Sequence, residues 1–93
     1  ANFVKYPFSK LASPILVSLK LSTLDECAFE CLTNKECFSI NFATVSGGDD
    51  KYECELLNAD MFKQLDKFAA SRDFHHYNNK ISSNFTVVSL IFK

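Results

Sequence analysis

Four cysteines constrain this chain more than any other feature of its sequence. Three of them lie within the stretch ECAFECLTNKECFSINF, residues 26–42, and the full spacing is C-x3-C-x5-C-x16-C. The residues are Cys27, Cys31, Cys37 and Cys54. Cysteines in such a cluster act as metal ligands, as catalytic thiols or as disulfide-bonded pairs, and each use implies a different class of protein.

The first two cysteines lie in a segment with helical periodicity. Apolar residues fall at i, i+3, i+4, i+7 and i+8, which is one stripe of an α-helix: Leu24, Cys27, Ala28, Cys31 and Leu32. Thr23 and Glu26 have the spacing of a capping box, and Asn34 is a plausible left-handed stop. The pattern predicts a helix over about 24–33, with both thiols on its inward face.

Geometry then restricts how the cysteines can pair. Two cysteines four residues apart on a helix do not readily bond to each other, because the disulfide torsion opposes it. Cys31 lies near the helix end and can reach Cys37 locally, which leaves Cys27 for Cys54. Each bridge would stabilise the fold by roughly 2–4 kcal/mol, a large share of a small domain's stability.

Zinc binding and catalysis are weaker interpretations. Structural zinc sites favour C-x2-C on tight turns, whereas this C-x3-C lies within a helix. His75 and His76 face opposite ways if they lie on a strand, and we expect a surface strand pair. The motifs G-x-S-x-G and H-E-x-x-H and a phosphate-binding glycine loop are absent, so no enzyme, cofactor or metal is expected. A zinc-stabilised module stays as an alternative.

The rest of the chain shows mainly strand patterns. Period-two alternation or β-prone composition predicts strands at 15–22, 37–44, 52–57, 73–77 and, less regularly, 81–93. Residues 46–51 form a turn by composition, with Gly47 and Gly48 free to take positive φ. Residues 58–70 fit a short helix or an ordered loop. We therefore expect an α+β fold, in which an antiparallel sheet of about five strands packs against one disulfide-stapled helix.

The composition of the chain limits the classes of partner that it can bind. The chain has 93 residues, the size of one domain, and a net charge of −1 without a basic stripe, which argues against nucleic acid. No run approaches the ~20 apolar residues of a membrane span. Six of the ten phenylalanines have spacings that predict core positions: Phe29, Phe38, Phe42, Phe62, Phe68 and Phe74.

Three segments together resemble the PAN/apple domain family: LDECAFECL (24–32), CFSINF (37–42) and CELL (54–57). The resemblance covers about 15–77. It implies an antiparallel sheet cradling one helix, in a secreted or surface protein, and the bridges Cys27–Cys54 and Cys31–Cys37. Full apple domains carry a third bridge joining their ends; this chain has no outer cysteine pair and resembles the shorter PAN form.

The resemblance implies an extracellular, non-catalytic module that binds a protein or carbohydrate ligand, within a larger secreted or surface protein. We expect the module to span 1–80, with 81–93 a further strand or tail. The chain lacks the lysine cluster that heparin-type binding needs, which favours a protein ligand. No ligand-binding residue can be assigned.

Two features lie near the end of the chain. Asn84 begins an N-glycosylation sequon, which we expect to be used only if the chain is secreted. Residues 85–92, FTVVSLIF, are β-prone and uncharged, and would promote association if left uncovered. A self-associating, structural component of the extracellular matrix is therefore a further alternative.

Overall fold

A computed structural model describes residues 3–79 of the chain. Within this range the elements are β1 (Phe3–Tyr6), β2 (Ser9–Leu11), β3 (Ile15–Leu21), α1 (Leu24–Leu32), β4 (Ser39–Ala43), β5 (Tyr52–Leu57), a 3-10 turn (Leu65–Lys67), β6 (Phe68–Ala70) and β7 (Phe74–Asn79). Five strands form an antiparallel sheet in the order β1-β7-β4-β5-β3, and β2 pairs with β6 in a separate ribbon. The expected α+β fold is confirmed, and the ribbon is an addition to it.

Helix α1 begins as the capping box predicts. The Glu26 amide donates to Thr23 Oγ1 at 3.2 Å, and the Thr23 amide donates to Glu26 Oε1 at 3.1 Å. The helix ends at Leu32, with Thr33 at a helical φ of −89°. The expectation of a left-handed Asn34 is wrong: the Asn34 amide donates to the Cys31 carbonyl at 3.1 Å, and its side chain accepts the Glu36 amide at 2.9 Å.

The apolar core lies between α1 and one face of the sheet. Phe42 is paired with Cys54 and Ile40 with Leu56 across β4 and β5, so these side chains share a face. Together with buried residues of the helix they form one cluster: Cys27, Cys31, Cys37, Ile40, Phe42, Cys54, Leu56 and Tyr77. The apolar stripe of the helix therefore packs against the apolar face of the sheet, as the two sequence patterns predict.

The expectation that six phenylalanines are core residues is wrong for two of them. Phe42 is buried, but Phe29 is 63% exposed and Phe62 is 58% exposed. Phe29 follows Cys27 by two residues, which places it about 200° round the helix and away from the sheet. The other three are half-buried: Phe38, Phe68 and Phe74.

The predicted turn forms between β4 and β5, but its glycines do not take positive φ. Asp50 does, at 61°, while the Gly47 amide donates to the Lys51 carbonyl at 2.8 Å. Aspartate tolerates the left-handed region better than most residues, which explains how it can occupy this position. The undecided segment 58–70 contains the 3-10 turn and strand β6.

Candidate functional site

Two disulfide bonds attach the helix to its surroundings. Cys27 bonds to Cys54 with Cα atoms 5.9 Å apart, and Cys31 bonds to Cys37 with Cα atoms 5.2 Å apart. These are the two pairs that the resemblance implies. Since all four sulfurs are used in the bridges, none is a thiolate that could bind zinc or attack a substrate.

The sheet face opposite the helix carries buried polar side chains. Asn41, Glu55 and His76 alternate with the core residues and therefore point away from α1. Asn41 and His76 are fully buried and Glu55 is 3% exposed. The β2–β6 ribbon covers them: Leu11 of β2 hydrogen-bonds to Asn41, and the ring of Phe68 lies 5.4 Å from that of His76.

Asn41 is the centre of this polar network. Its Oδ1 accepts the Leu11 amide at 3.1 Å, while its Nδ2 donates to the Leu11 carbonyl at 2.9 Å and to Glu55 Oε1 at 3.0 Å. These contacts fix the orientation of the amide. His76 Nδ1 lies 2.8 Å from Asn41 Oδ1, so this nitrogen carries the proton and donates.

The two histidines differ in their surroundings. The expectation of a surface pair is wrong for His76, because the ribbon buries it. His75 is half-buried on the other face, and its Nδ1 accepts the Phe8 amide at 2.8 Å. Phe8 itself has a φ of 49° and an exposed ring 4.6 Å from that of His75.

Burial sets the electrostatics of the network. Burial raises the pKa of Glu55, although Asn41 and Lys10, whose Nζ lies 3.7 Å from Glu55 Oε2, act against it. Burial lowers the pKa of His76, partly offset by the hydrogen bond to Asn78 and the charge of Asp60. The network is enclosed and internally bonded, so it joins the ribbon to the sheet.

A groove opens one row further along the same face. The cross-strand pairs Lys20–Glu53 and Ala43–Phe74 lie next to the row of polar residues that the ribbon covers. Glu53, Ala43 and Phe74 are each two residues along their strands from Glu55, Asn41 and His76. We call this the open groove. It has a volume of about 310 Å³ and is lined by Lys20, Ala43, Val45, Ser46, Gly47, Lys51, Glu53, Asp73 and Phe74.

The open groove combines opposite charges with an apolar floor. Its charged residues are Lys20, Lys51, Glu53 and Asp73. Among residues 3–79 one ion pair is formed, between Lys10 and Glu55. The four charged side chains of the groove therefore form no ion pair with one another. Val45 at the rim is 71% exposed, and Lys10 Nζ lies 4.2 Å from the ring centroid of Phe74.

A second, smaller pocket of about 160 Å³ lies beside the start of α1. It is lined by Phe3, Leu24, Asp25, Ala28, Ile40 and Tyr77. Asp25 is the charged residue among them, and Ile40 and Tyr77 belong to the core cluster. This pocket is therefore largely an extension of the core.

Sequence reasoning did not find the open groove. Lys20 falls in the predicted strand 15–22 and Lys51 in the predicted turn 46–51, and nothing in their spacing links them to Asp73. Strand pairing brings them together. The predicted glycosylation site Asn84 and the apolar run 85–92 lie outside the described residues.

A five-stranded antiparallel sheet with one helix bonded to it by two disulfides defines a small, disulfide-stapled α+β domain. The family model for the PAN domain matches residues 2–83, so the chain belongs to the PAN domain family. This confirms the resemblance seen in the cysteine-containing segments. No curated protein and no solved structure matches the chain.

PAN domains are generally non-catalytic modules that bind proteins or carbohydrates in extracellular proteins. In the part of the chain that the structure describes, no three His, Cys, Asp or Glu side chains are grouped to hold a metal ion. Over the same residues, no helix is long and apolar enough to cross a membrane.

Proposed function

We propose that this chain is an extracellular, non-catalytic recognition module and that the open groove is its ligand-binding surface. One observation carries the proposal: four charged side chains surround an apolar floor in the groove without pairing with each other. Charges that are not paired with one another can meet a ligand, although Glu53 also interacts with the Glu55 carboxyl beside the groove. Membership of the PAN family supports a protein or carbohydrate ligand.

The environment of the titratable side chains supports a role without catalysis. His76 and Glu55 are enclosed and bonded to Asn41, while His75 Nδ1 accepts a backbone amide. A general base must reach the proton that it removes from a substrate. These groups are committed to contacts that hold the fold.

The two disulfides support a secreted or cell-surface location, because such bonds form and persist in oxidising compartments. In that setting we propose that Asn84 is glycosylated. We also propose that the module spans 1–80, with 81–93 a separate strand or tail, and that it forms part of a larger secreted or surface protein.

Binding by a groove variant tests this proposal. We expect Lys20→Ala/Lys51→Ala to reduce binding to immobilised extracellular matrix extract and to a glycan array by about tenfold or more, because each lysine offers a charge-assisted hydrogen bond. The melting temperature should stay unchanged, since both side chains lie at the surface.

The matched control is Lys35→Ala, which removes an exposed lysine beyond the end of α1 and outside the groove. It should bind as the unmodified protein does. If the groove variant and the control bind equally well to every surface that captures the protein, the open groove is not the ligand site.

A further inference from the structure

We propose that the open groove binds a neutral sugar unit, such as a terminal hexose or N-acetylhexosamine. This inference rests on the proposed function and names the ligand class of the same groove. The balance of charge in the groove, its apolar floor and the paired backbone beneath it all favour such a ligand.

The charges favour a ligand without net charge. Lys20 and Lys51 are balanced by Glu53 and Asp73, and Glu53 lies directly across from Lys20 in the β3–β5 pair. An anionic ligand drawn to the lysines would meet both carboxylates. Hydroxyl groups both donate and accept hydrogen bonds, so neighbouring hydroxyls of one sugar can serve carboxylates and ammonium groups together.

The floor suits the apolar side of a sugar ring. Ala43 and Phe74 are cross-strand partners, so a methyl group and an aromatic ring lie side by side. The contact with Lys10 helps to hold the Phe74 ring in place. The volume of about 310 Å³ is at the low end of the range for small-molecule sites, roughly 300–1,000 Å³, which fits one or two sugar units.

The backbone beneath the groove argues against an extended peptide. Peptides often bind by adding a strand to a free sheet edge, where the main chain supplies the hydrogen bonds. Here β5 is paired with both β3 and β4, and β4 is paired with both β5 and β7. The groove therefore lies mainly over the interior strands β4, β5 and β7, with Lys20 contributed by the edge strand β3, and it offers mainly side chains.

Amide chemical shifts provide a direct test. The ¹⁵N-labelled protein is titrated with methyl glycosides of neutral hexoses and N-acetylhexosamines, and separately with glucuronate and N-acetylneuraminate. We expect saturable shifts at the amides of Ala43, Gly47 and Phe74 with at least one neutral glycoside. A dissociation constant on the order of 1 mM is expected for so small a ligand.

Isosteric variants connect the shifts to the carboxylates. Glu53→Gln and Asp73→Asn should each weaken binding of that glycoside by about tenfold, since a neutral amide is a poorer acceptor for a sugar hydroxyl. The control is Glu30→Gln, on the exposed side of α1, which should leave the titration unchanged. The same spectra report whether each variant is folded.

The outcomes separate this inference from the proposed function. Groove shifts with the acidic sugars alone, or no groove shifts with any neutral glycoside, overturn the sugar assignment. If Lys20→Ala/Lys51→Ala still loses binding to a protein of the matrix extract, the recognition role stands while the sugar assignment falls. If no groove variant changes binding of any kind, both fall.

Discussion

At the residue scale, Asn41 joins the two layers of the molecule. Its amide bonds to both backbone groups of Leu11 in the ribbon and to Glu55 and His76 in the sheet. Each of these partners is buried. A single side chain therefore satisfies polar groups that would be costly to bury alone.

Removing that side chain should be strongly destabilising. Asn41→Ala leaves the Leu11 amide and the His76 Nδ1 proton without their partner, and a buried unpaired group costs about 1–3 kcal/mol. We expect the free energy of unfolding in urea to fall by about 3 kcal/mol. The exposed Asn58→Ala serves as the control, with a change within about 0.5 kcal/mol. Similar losses in the two variants would show that the network contributes little.

His76 makes the stability depend on pH. Its Nε2 lies 2.8 Å from Asn78 Oδ1, and among the described residues Asn78 Nδ2 is a buried atom without a partner. Hydrogen bonding to a neutral His76 favours the opposite amide orientation, with Nδ2 donating to Nε2, whereas the Met61 amide, 3.4 Å from Asn78 Oδ1, favours the orientation observed. A charged His76 donates to Oδ1 instead. The two protonation states thus favour different orientations of the Asn78 amide.

The sign follows from the lowered pKa of His76. As the pH falls, His76 takes up a proton in the unfolded chain before it does so in the folded protein. The stability that neutral His76 contributes is therefore complete above the unfolded pKa of about 6.5, and it is lost as the pH falls below that value towards the folded pKa. The raised pKa of Glu55 acts in the opposite direction above the ordinary carboxyl pKa of 4.5, since burial in the folded state favours its protonated form.

We expect the free energy of unfolding to decrease between pH 7.5 and pH 5.5, and His76→Gln to reduce or reverse this decrease. Urea denaturation at several pH values measures it. The slope is informative even if the variant is less stable at every pH. If the free energy of unfolding changes equally with pH in the unmodified protein and in His76→Gln, His76 is not the source of the pH dependence.

At the element scale, the helix and its two bridges follow closely from local sequence. The capping box sets the first turn, and the predicted end differs from the observed one by one residue. Strand β4 is harder to interpret, because residues on both of its faces are buried: Ser39, Ile40, Asn41 and Phe42. Its polar residues meet the ribbon, whose strands of three residues are too short to show a period.

The two bridges should contribute unequally. Cys27–Cys54 closes a separation of 27 residues and Cys31–Cys37 one of 6. In the chain-entropy model these correspond to about 3.5 and about 2 kcal/mol. Cys27→Ala/Cys54→Ala should therefore lower the free energy of unfolding by about 1–1.5 kcal/mol more than Cys31→Ala/Cys37→Ala. Denaturation of the two double variants makes the comparison, and the reverse order would contradict the entropic explanation.

At the scale of the whole molecule, two layers of different chemistry cover the two faces of one sheet. The helix face is apolar and fixed by disulfides, while the ribbon face is polar and joined by hydrogen bonds. The ribbon leaves one end of its face open, and the groove lies there. The disulfide-fixed apolar core therefore lies on the side of the sheet opposite the groove that we propose as the binding surface.

Reduction should unfold the domain. Together the bridges contribute about 5–6 kcal/mol in the chain-entropy model, comparable with the 5–15 kcal/mol of a typical native protein. We expect no alkylated cysteine in the native protein and four after reduction in denaturant. We also expect the circular dichroism of the sheet to be lost on reduction near physiological temperature. Four reactive thiols in the native, air-exposed protein would contradict the structure.

The sequence by itself determined the helix, the expected partner of each cysteine and, through its motifs, the PAN family, because these depend on local spacing. Tertiary structure alone decided that His76 is buried, that Phe29 is exposed and that Lys20, Lys51, Glu53 and Asp73 surround one groove. A period of two tells which residues share a face of a strand. It does not tell which strands become neighbours or what covers each face, since pairing and packing depend on residues distant in the chain.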